Sequence, residues 1–156
     1  MAIATFQAQS GFAVRKQGCE VPLLENGLIL NVEVSAGGRS ELVRALVDTG
    51  AAGTGIDARL ASRLGLSPDG LSPISSAGGF AAAPFGTVSI RFHGTDLKPM
   101  ERVKAYVCDL SVPVPMDCTG RVFTVASDTE MFLGRDVLSR WQIVWNGPQS
   151  TVTICD

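Results

Sequence analysis

The chain has 156 residues, of which 46% are apolar and 18% charged, with a formal net charge of −2. That length fits one domain with a core of its own, and so apolar a chain leaves surface that a second subunit could cover. The near-neutral charge argues against a nucleic-acid partner, and no apolar run approaches the ~20 residues that a membrane-spanning helix needs.

Met1 to Gln7 lacks a basic segment followed by a long apolar core. It does not read as a secretory leader, so a cytoplasmic location is expected. The cysteines at Cys19, Cys108, Cys118 and Cys155 show no C-x-x-C spacing, and His93 is the single histidine. A zinc site of the Cys/His kind is therefore not expected. The cysteines read as reduced thiols, with a structural Cys108–Cys118 bridge as the alternative. No metal and no cofactor are expected.

Seventeen glycines, eight prolines and many short alternating runs indicate a mainly β protein. Residues 1–27 read as an N-terminal arm or edge strand, and 28–156 as the domain proper. Leu28, Leu30, Val32 and Val34 fall on one face of a strand, with Ile29, Asn31 and Glu33 on the other. Residues 35–40 form a turn, and Glu41 to Val47 return as a second strand that ends at Asp48.

A short helix is expected from Asp57 to Gly65: Asp57 caps it, Leu60 and Leu64 share a face, and Gly65 ends it. Arg59 and Arg63 would form its solvated side. Ile74 to Phe92 reads as two strands around the glycine-bearing tip Ala77-Gly78-Gly79-Phe80, with Pro84 limiting pairing on one side. Val103 to Leu110 is a further strand, Ser111 to Gly120 an irregular Pro-rich stretch, and Arg121 to Ala126 another strand. Met131-Phe132-Leu133 leads through Gly134-Arg135-Asp136 into a helical turn or two. Gln142 to Trp145 and Ser150 to Cys155 close the chain as a hairpin around Asn146-Gly147. Trp141 and Trp145 read as core or interface packing, and His93 as a solvated turn residue.

Three separated blocks then line up: Leu46-Val47-Asp48-Thr49-Gly50-Ala51 after an apolar strand, Ala77-Gly78-Gly79-Phe80 in a hairpin, and Phe132-Leu133-Gly134-Arg135-Asp136-Val137-Leu138 before the closing strands. In order and spacing they resemble the retropepsin-like aspartic proteases, the single-lobed relatives of pepsin. The resemblance covers about Leu28 to Cys155. It implies a closed acid-protease-type β-barrel lobe with one or two short helices, one lobe per chain. It also implies a homodimer, since only one Asp-Thr-Gly is present and the family needs two.

In that family two carboxylates, one from each chain, meet at the floor of a cleft. Held close together they cannot both ionise cheaply and share one proton. One member activates a water, while the other donates to the carbonyl of the peptide bond. By resemblance, Asp48 is catalytic and Thr49 and Gly50 support the active-site loop. Ala51 and the flap residues Ala77, Gly78, Gly79 and Phe80 hold an extended peptide or protein substrate, and Arg135 anchors the helix to the loop by charged hydrogen bonds.

The chain departs from well-known viral members after Ala51, where acidic residues are replaced by Ala52 and Gly53. Arg135 then needs another partner, for which Asp57 is a candidate. The expected activity is an aspartic endopeptidase. The alternatives are a non-hydrolysing peptide-binding or dimerisation module on the same fold, and a latent protease whose first residues are trimmed.

Overall fold

The computed structural model describes residues 1–156 except 8, 17, 18, 77, 78, 116–121 and 126, and describes side-chain surroundings outside 8–27, 76–78 and 112–126. The N-terminal segment forms β1 (Ile3–Gln7), β2 (Gln9–Lys16) and β3 (Cys19–Gly27). β2 and β3 pair with each other as a two-stranded ribbon.

The alternation from residue 28 becomes β4 (Ile29–Ala36), whose Leu30, Val32 and Val34 are at most 1% exposed. Ile29 on the opposite face is buried too. Gly37 and Gly38, both with left-handed φ, turn the chain into β5 (Arg39–Val47). A Cβ at Gly37 would also stand 3.0 Å from the carbonyl oxygens of Leu64 and Gly65, so the turn is fitted under the end of the following helix.

β6 (Thr54–Asp57) is buried throughout and runs into α1 (Ala58–Leu64). Asp57 caps α1 by accepting from Arg59 N–H, and Leu60 and Leu64 are fully buried. Gly65 ends the helix in the left-handed conformation, with Leu66 N–H reaching back to Ala61 O. Arg59 and Arg63 are more than a solvated face. Arg59 forks onto Asp57, and Arg63 bridges Glu41 and Glu130.

β7 (Gly70–Ser76) and the long β8 (Gly79–Phe92) pair antiparallel, with Leu71 opposite Pro84 and Ser76 opposite Gly79. β9 (Met100–Cys108) follows. β10 (Val112–Pro115) pairs with β11 (Val122–Val125), so the first residues of the Pro-rich stretch are extended instead of irregular. A two-stranded ribbon leaves one side of each strand without a neighbour, where proline's missing N–H costs nothing. The chain ends with β12 (Met131–Leu133), α2 (Arg135–Leu138), β13 (Gln142–Asn146) and β14 (Thr151–Cys155). A 3₁₀ turn over Gly147–Gln149, capped by the Asn146 side chain, joins the last two.

Six strands close a barrel in the order β4-β5-β12-β6-β9-β8, sealed by antiparallel pairing of β4 with β8 from Val32↔Phe92 to Ser35↔Ser89. Closure removes the exposed edges that an open sheet would carry. Two pairings are parallel, β5 with β12 and β6 with β9. The core holds Val32, Val34, Ile56, Leu60, Val88, Ile90, Ala105, Met131 and Leu133.

β1, β14 and β13 form a separate three-stranded sheet in that order. Its Val152 and Ile154 are fully buried against the barrel, and Trp141 packs edge-on to Phe92 at 4.7 Å. The described residues thus form one mainly β lobe with two short α-helices. No helix among the described residues is long and apolar enough to cross a membrane.

Candidate active site

β5 delivers Asp48 at its open end. Asp48 N–H donates to Leu133 O at 3.0 Å, so the strand that parallels β5 also holds the first residue of the loop. The loop then turns back on the carboxylate. Oδ1 of Asp48 accepts from Gly50 N–H at 2.9 Å and from Ala51 N–H at 3.2 Å. Oδ2 takes no hydrogen bond among the described residues. The carboxylate is therefore fixed by one oxygen and leaves the other open. A Cβ at residue 50 would stand 3.1 Å from Oδ1, close enough to press the carboxylate aside by a few tenths of an ångström. Thr49 is exposed, and its hydroxyl has no hydrogen-bond partner among the described residues of the protomer.

The loop is framed from below by the segment that follows β12. Arg135 N–H donates to Ala51 O at 2.9 Å and Asp136 N–H to Ala52 O at 3.3 Å. Nη1 of Arg135 donates to the carbonyls of Thr49 and Gly50 at 3.0 and 3.2 Å. Asp57, the partner considered from the sequence, is instead held by Arg59 at 2.7 Å. The guanidinium thus binds the loop backbone itself. Thr54, fully buried, donates to Asp136 Oδ1 at 2.9 Å and accepts from Gly134 N–H at 3.2 Å. Thr54 did not stand out in the sequence, and Asp136 stood there only as part of the Gly134-Arg135-Asp136 block, without a role of its own. Their signal was their place: six residues past Asp48, and directly after Arg135.

An open groove of about 820 Å³ lies over this loop. It is lined by Asp48, Gly50, Ala51, Ala52, Gly53 and Arg135, by Pro73, Ile74 and Ser75 of β7, and by Tyr106, Cys108, Asp109 and Phe132. Gly53 has no room for a side chain: a Cβ there would stand 2.8 Å from the Tyr106 ring. The position that is acidic in viral members is thus occupied here by an aromatic from β9.

Of the hairpin tip, Ala77 and Gly78 lie outside the described residues. Gly79 takes a left-handed φ of 112°, and Phe80 is 89% exposed.

Charge around the groove is modest. Asp57 is buried, which by itself raises its pKa. The Arg59 guanidinium and the N–H groups of Arg59 and Leu110 outweigh that and hold it below the ordinary value. Cys108 is a free thiol, so the bridge to Cys118 is not formed here. Burial, and secondarily the charge of Asp57, push its pKa up, which keeps it a poor nucleophile at neutral pH. Asp109, at the rim, is lowered by hydrogen bonds from Ser111. Among the described residues no three His, Cys, Asp or Glu side chains are grouped to hold a metal ion.

Residues 32–137, which contain the loop, the hairpin and the frame beneath them, match the family model described as aspartyl protease. The chain belongs to the aspartyl protease family. Its fold is similar to the crystal structure of a retropepsin-like aspartic protease from Rickettsia conorii, with a TM-score of 0.51 and 13% identity over 99% of this chain and 93% of that one. No curated protein gives a significant match. Family and fold together make the chain a single retropepsin-like lobe of the aspartyl proteases, with aspartic protease chemistry as its general class.

Proposed function

We propose that the chain is an aspartic endopeptidase that works as a homodimer, with Asp48 of each copy supplying one carboxylate. The observation that carries this reading is the carboxylate itself. Its Oδ1 is fixed by two backbone N–H groups and its Oδ2 accepts no hydrogen bond among the described residues, in an open groove of about 820 Å³. One such carboxylate cannot both take a proton from water and give one to the peptide carbonyl. Two related by a two-fold axis can, because the close pair shares one proton. Water attacks the carbonyl carbon, and a tetrahedral intermediate forms without a covalent bond to the protein. The proton passed to the nitrogen lets the C–N bond break.

The exposed, unpartnered Thr49 hydroxyl supports the homodimer, since it is free to bond to the partner's loop across the axis. Gly79 and Phe80, and by the same reading Ala77 and Gly78, cover the bound segment as a flap. Arg135 acts as a positioning residue through the Thr49 and Gly50 carbonyls. On this reading residues 28–156 form the protease domain.

The test is incubation with a mixed peptide library from about pH 4 to 7, where carboxylate pairs work, with the products sequenced. Hydrolysis should occur with the wild-type protein and vanish in Asp48→Asn, which keeps the shape and loses the ionisable group. Equal cleavage by the variant would remove Asp48 from the chemistry. Light scattering of the active sample should give twice the chain mass; full activity from a strict monomer would sink the shared site.

A further inference from the structure

The long strand β8 changes partners at Phe85. Residues 79–85 pair with β7, and β9 pairs only from Phe85 onward. Phe85 itself stands between Gly70 on one side and Tyr106 on the other. The hairpin of β7 and β8 therefore leaves the barrel at this residue. β7 is also the last strand of its sheet, so beyond the joint β8 is its one ladder partner. Yet Pro73, Ile74 and Ser75 of β7 line the groove that contains Asp48. Where that lining stands depends on how the hairpin is held at its joint.

An exposed lysine spans the joint. Lys104 lies on β9 opposite Thr87, on the barrel side of Phe85. Its Nζ sits 3.9 Å from the Phe85 centroid and 5.0 Å from that of Tyr106, and it donates to Ser72 Oγ at 3.1 Å. Ser72 is on the hairpin side, opposite Ala83. The two rings are tilted by 57° with centroids 6.5 Å apart, so one ammonium meets both. A cation within about 6 Å of a ring face is attracted by the ring's quadrupole. Among the described residues no other side-chain hydrogen bond joins β7 to β9. Lys104 does not itself line the groove.

We infer that Lys104 is a positioning residue: it clasps the β7–β8 hairpin to β9 across the Phe85 joint, and so fixes the groove lining that β7 supplies relative to Asp48. This rests on the groove being the substrate site, as proposed above. The clasp asks one side chain for a donor to Ser72, a charge for the rings and a stem long enough to cross β8. Arginine supplies all of these, and methionine only the stem. A lining that shifts loosens substrate and transition state alike, so its loss falls on KM.

Amide hydrogen exchange reads the clasp without any substrate. In Lys104→Met the β7–β8 ladder amides should exchange about fivefold faster or more, while those of β5 and β12 keep their rates. Ser72→Ala should give part of that increase, and Lys104→Arg little or none. On an extended peptide, Lys104→Met should raise KM about three- to tenfold with kcat nearly unchanged, and Lys104→Arg should restore the KM. Unchanged exchange in the hairpin, or an equal rise in β5 and β12, would overturn the clasp. Faster hairpin exchange with an unchanged KM, or a loss confined to kcat, would overturn the positioning role. If the wild-type protein cuts no peptide, the protease reading falls, and binding of the same peptide to wild type and Lys104→Met takes the place of KM. Weaker binding by the variant then upholds the positioning role; a peptide bound equally by both, or by neither, overturns it.

Discussion

Gly134 lies against Gly53 so closely that a Cβ at residue 134 would stand 2.4 Å from the carbonyl carbon and oxygen of residue 53. These are backbone atoms and cannot swing aside. Gly134 itself has an extended backbone that any residue adopts, so its glycine is required by space alone. Gly134→Ala should lower stability by about 2–3 kcal/mol and push the 51–53 segment away from α2, read as a lower urea midpoint together with loss of peptide hydrolysis. A wild-type midpoint in this variant would show that the two segments are not packed as described.

Arg135 is exposed, yet its Nη1 holds two successive carbonyls of the Asp-Thr-Gly loop. Exposed bonds of this kind contribute about 1 kcal/mol each. Arg135→Met should therefore leave the protein folded with a small loss of stability. Hydrolysis should fall by at least about tenfold, the equivalent of ~1.4 kcal/mol of transition-state positioning, and the fall should lie in kcat more than in KM, because the carboxylate loses orientation while the groove wall is intact. Steady-state kinetics on one peptide separates the two, and a pure KM effect would make Arg135 a substrate ligand instead.

Asp57 gives a stability signature in acid. Its carboxylate is 1% exposed and forks onto Arg59, and its folded pKa lies below the ordinary 3.8. Between the folded value and 3.8 the unfolded chain binds more protons than the folded one, so stability rises with pH through that window. The contribution is complete above about pH 5 and is lost as pH falls through the folded value. Asp57→Asn keeps a capping oxygen but not the charge. It should cost about 1–3 kcal/mol near neutral pH, with the gap to wild type closing below about pH 4. Urea midpoints taken across that range check it; a gap that persists in acid would mean that the ion pair is not what Asp57 provides.

Much of the frame was legible from residue pattern. The period-two runs from Leu28 to Val47 and the Asp57–Gly65 helix with both its caps are set by local chemistry, and local chemistry is what a sequence displays. The Asp-Thr-Gly and Gly-Arg-Asp blocks pointed to a candidate site by a different route, their resemblance to a known family, and the tip residues Ala77 and Gly78 lie outside the described residues.

What stayed hidden depends on which strand lies beside which. Nothing near Arg135 reveals that its partners are the Thr49 and Gly50 carbonyls, because a backbone acceptor leaves no mark in composition. Gly53 reads as a missing acid until β9 is placed next to β6 and Tyr106 is found in the space. Thr54 and Asp136 reach across 82 residues to meet. Pairing of β1 with β14 joins the first and last strands of the chain, a distance no periodicity spans. Arg59 and Arg63 looked solvated because their acidic partners come from outside the helix or from its cap.

The parallel pairing of β5 with β12 has a consequence for timing. Asp48 is made early in synthesis, but every group that fixes its loop from below belongs to residues 133–136. Such long-range contacts form late and slowly compared with local ones, and a chain still being synthesised builds from its N-terminal end. A nascent chain therefore carries the carboxylate without its frame until residues 133–136 have been added. The loop is framed only once those residues have packed beneath it.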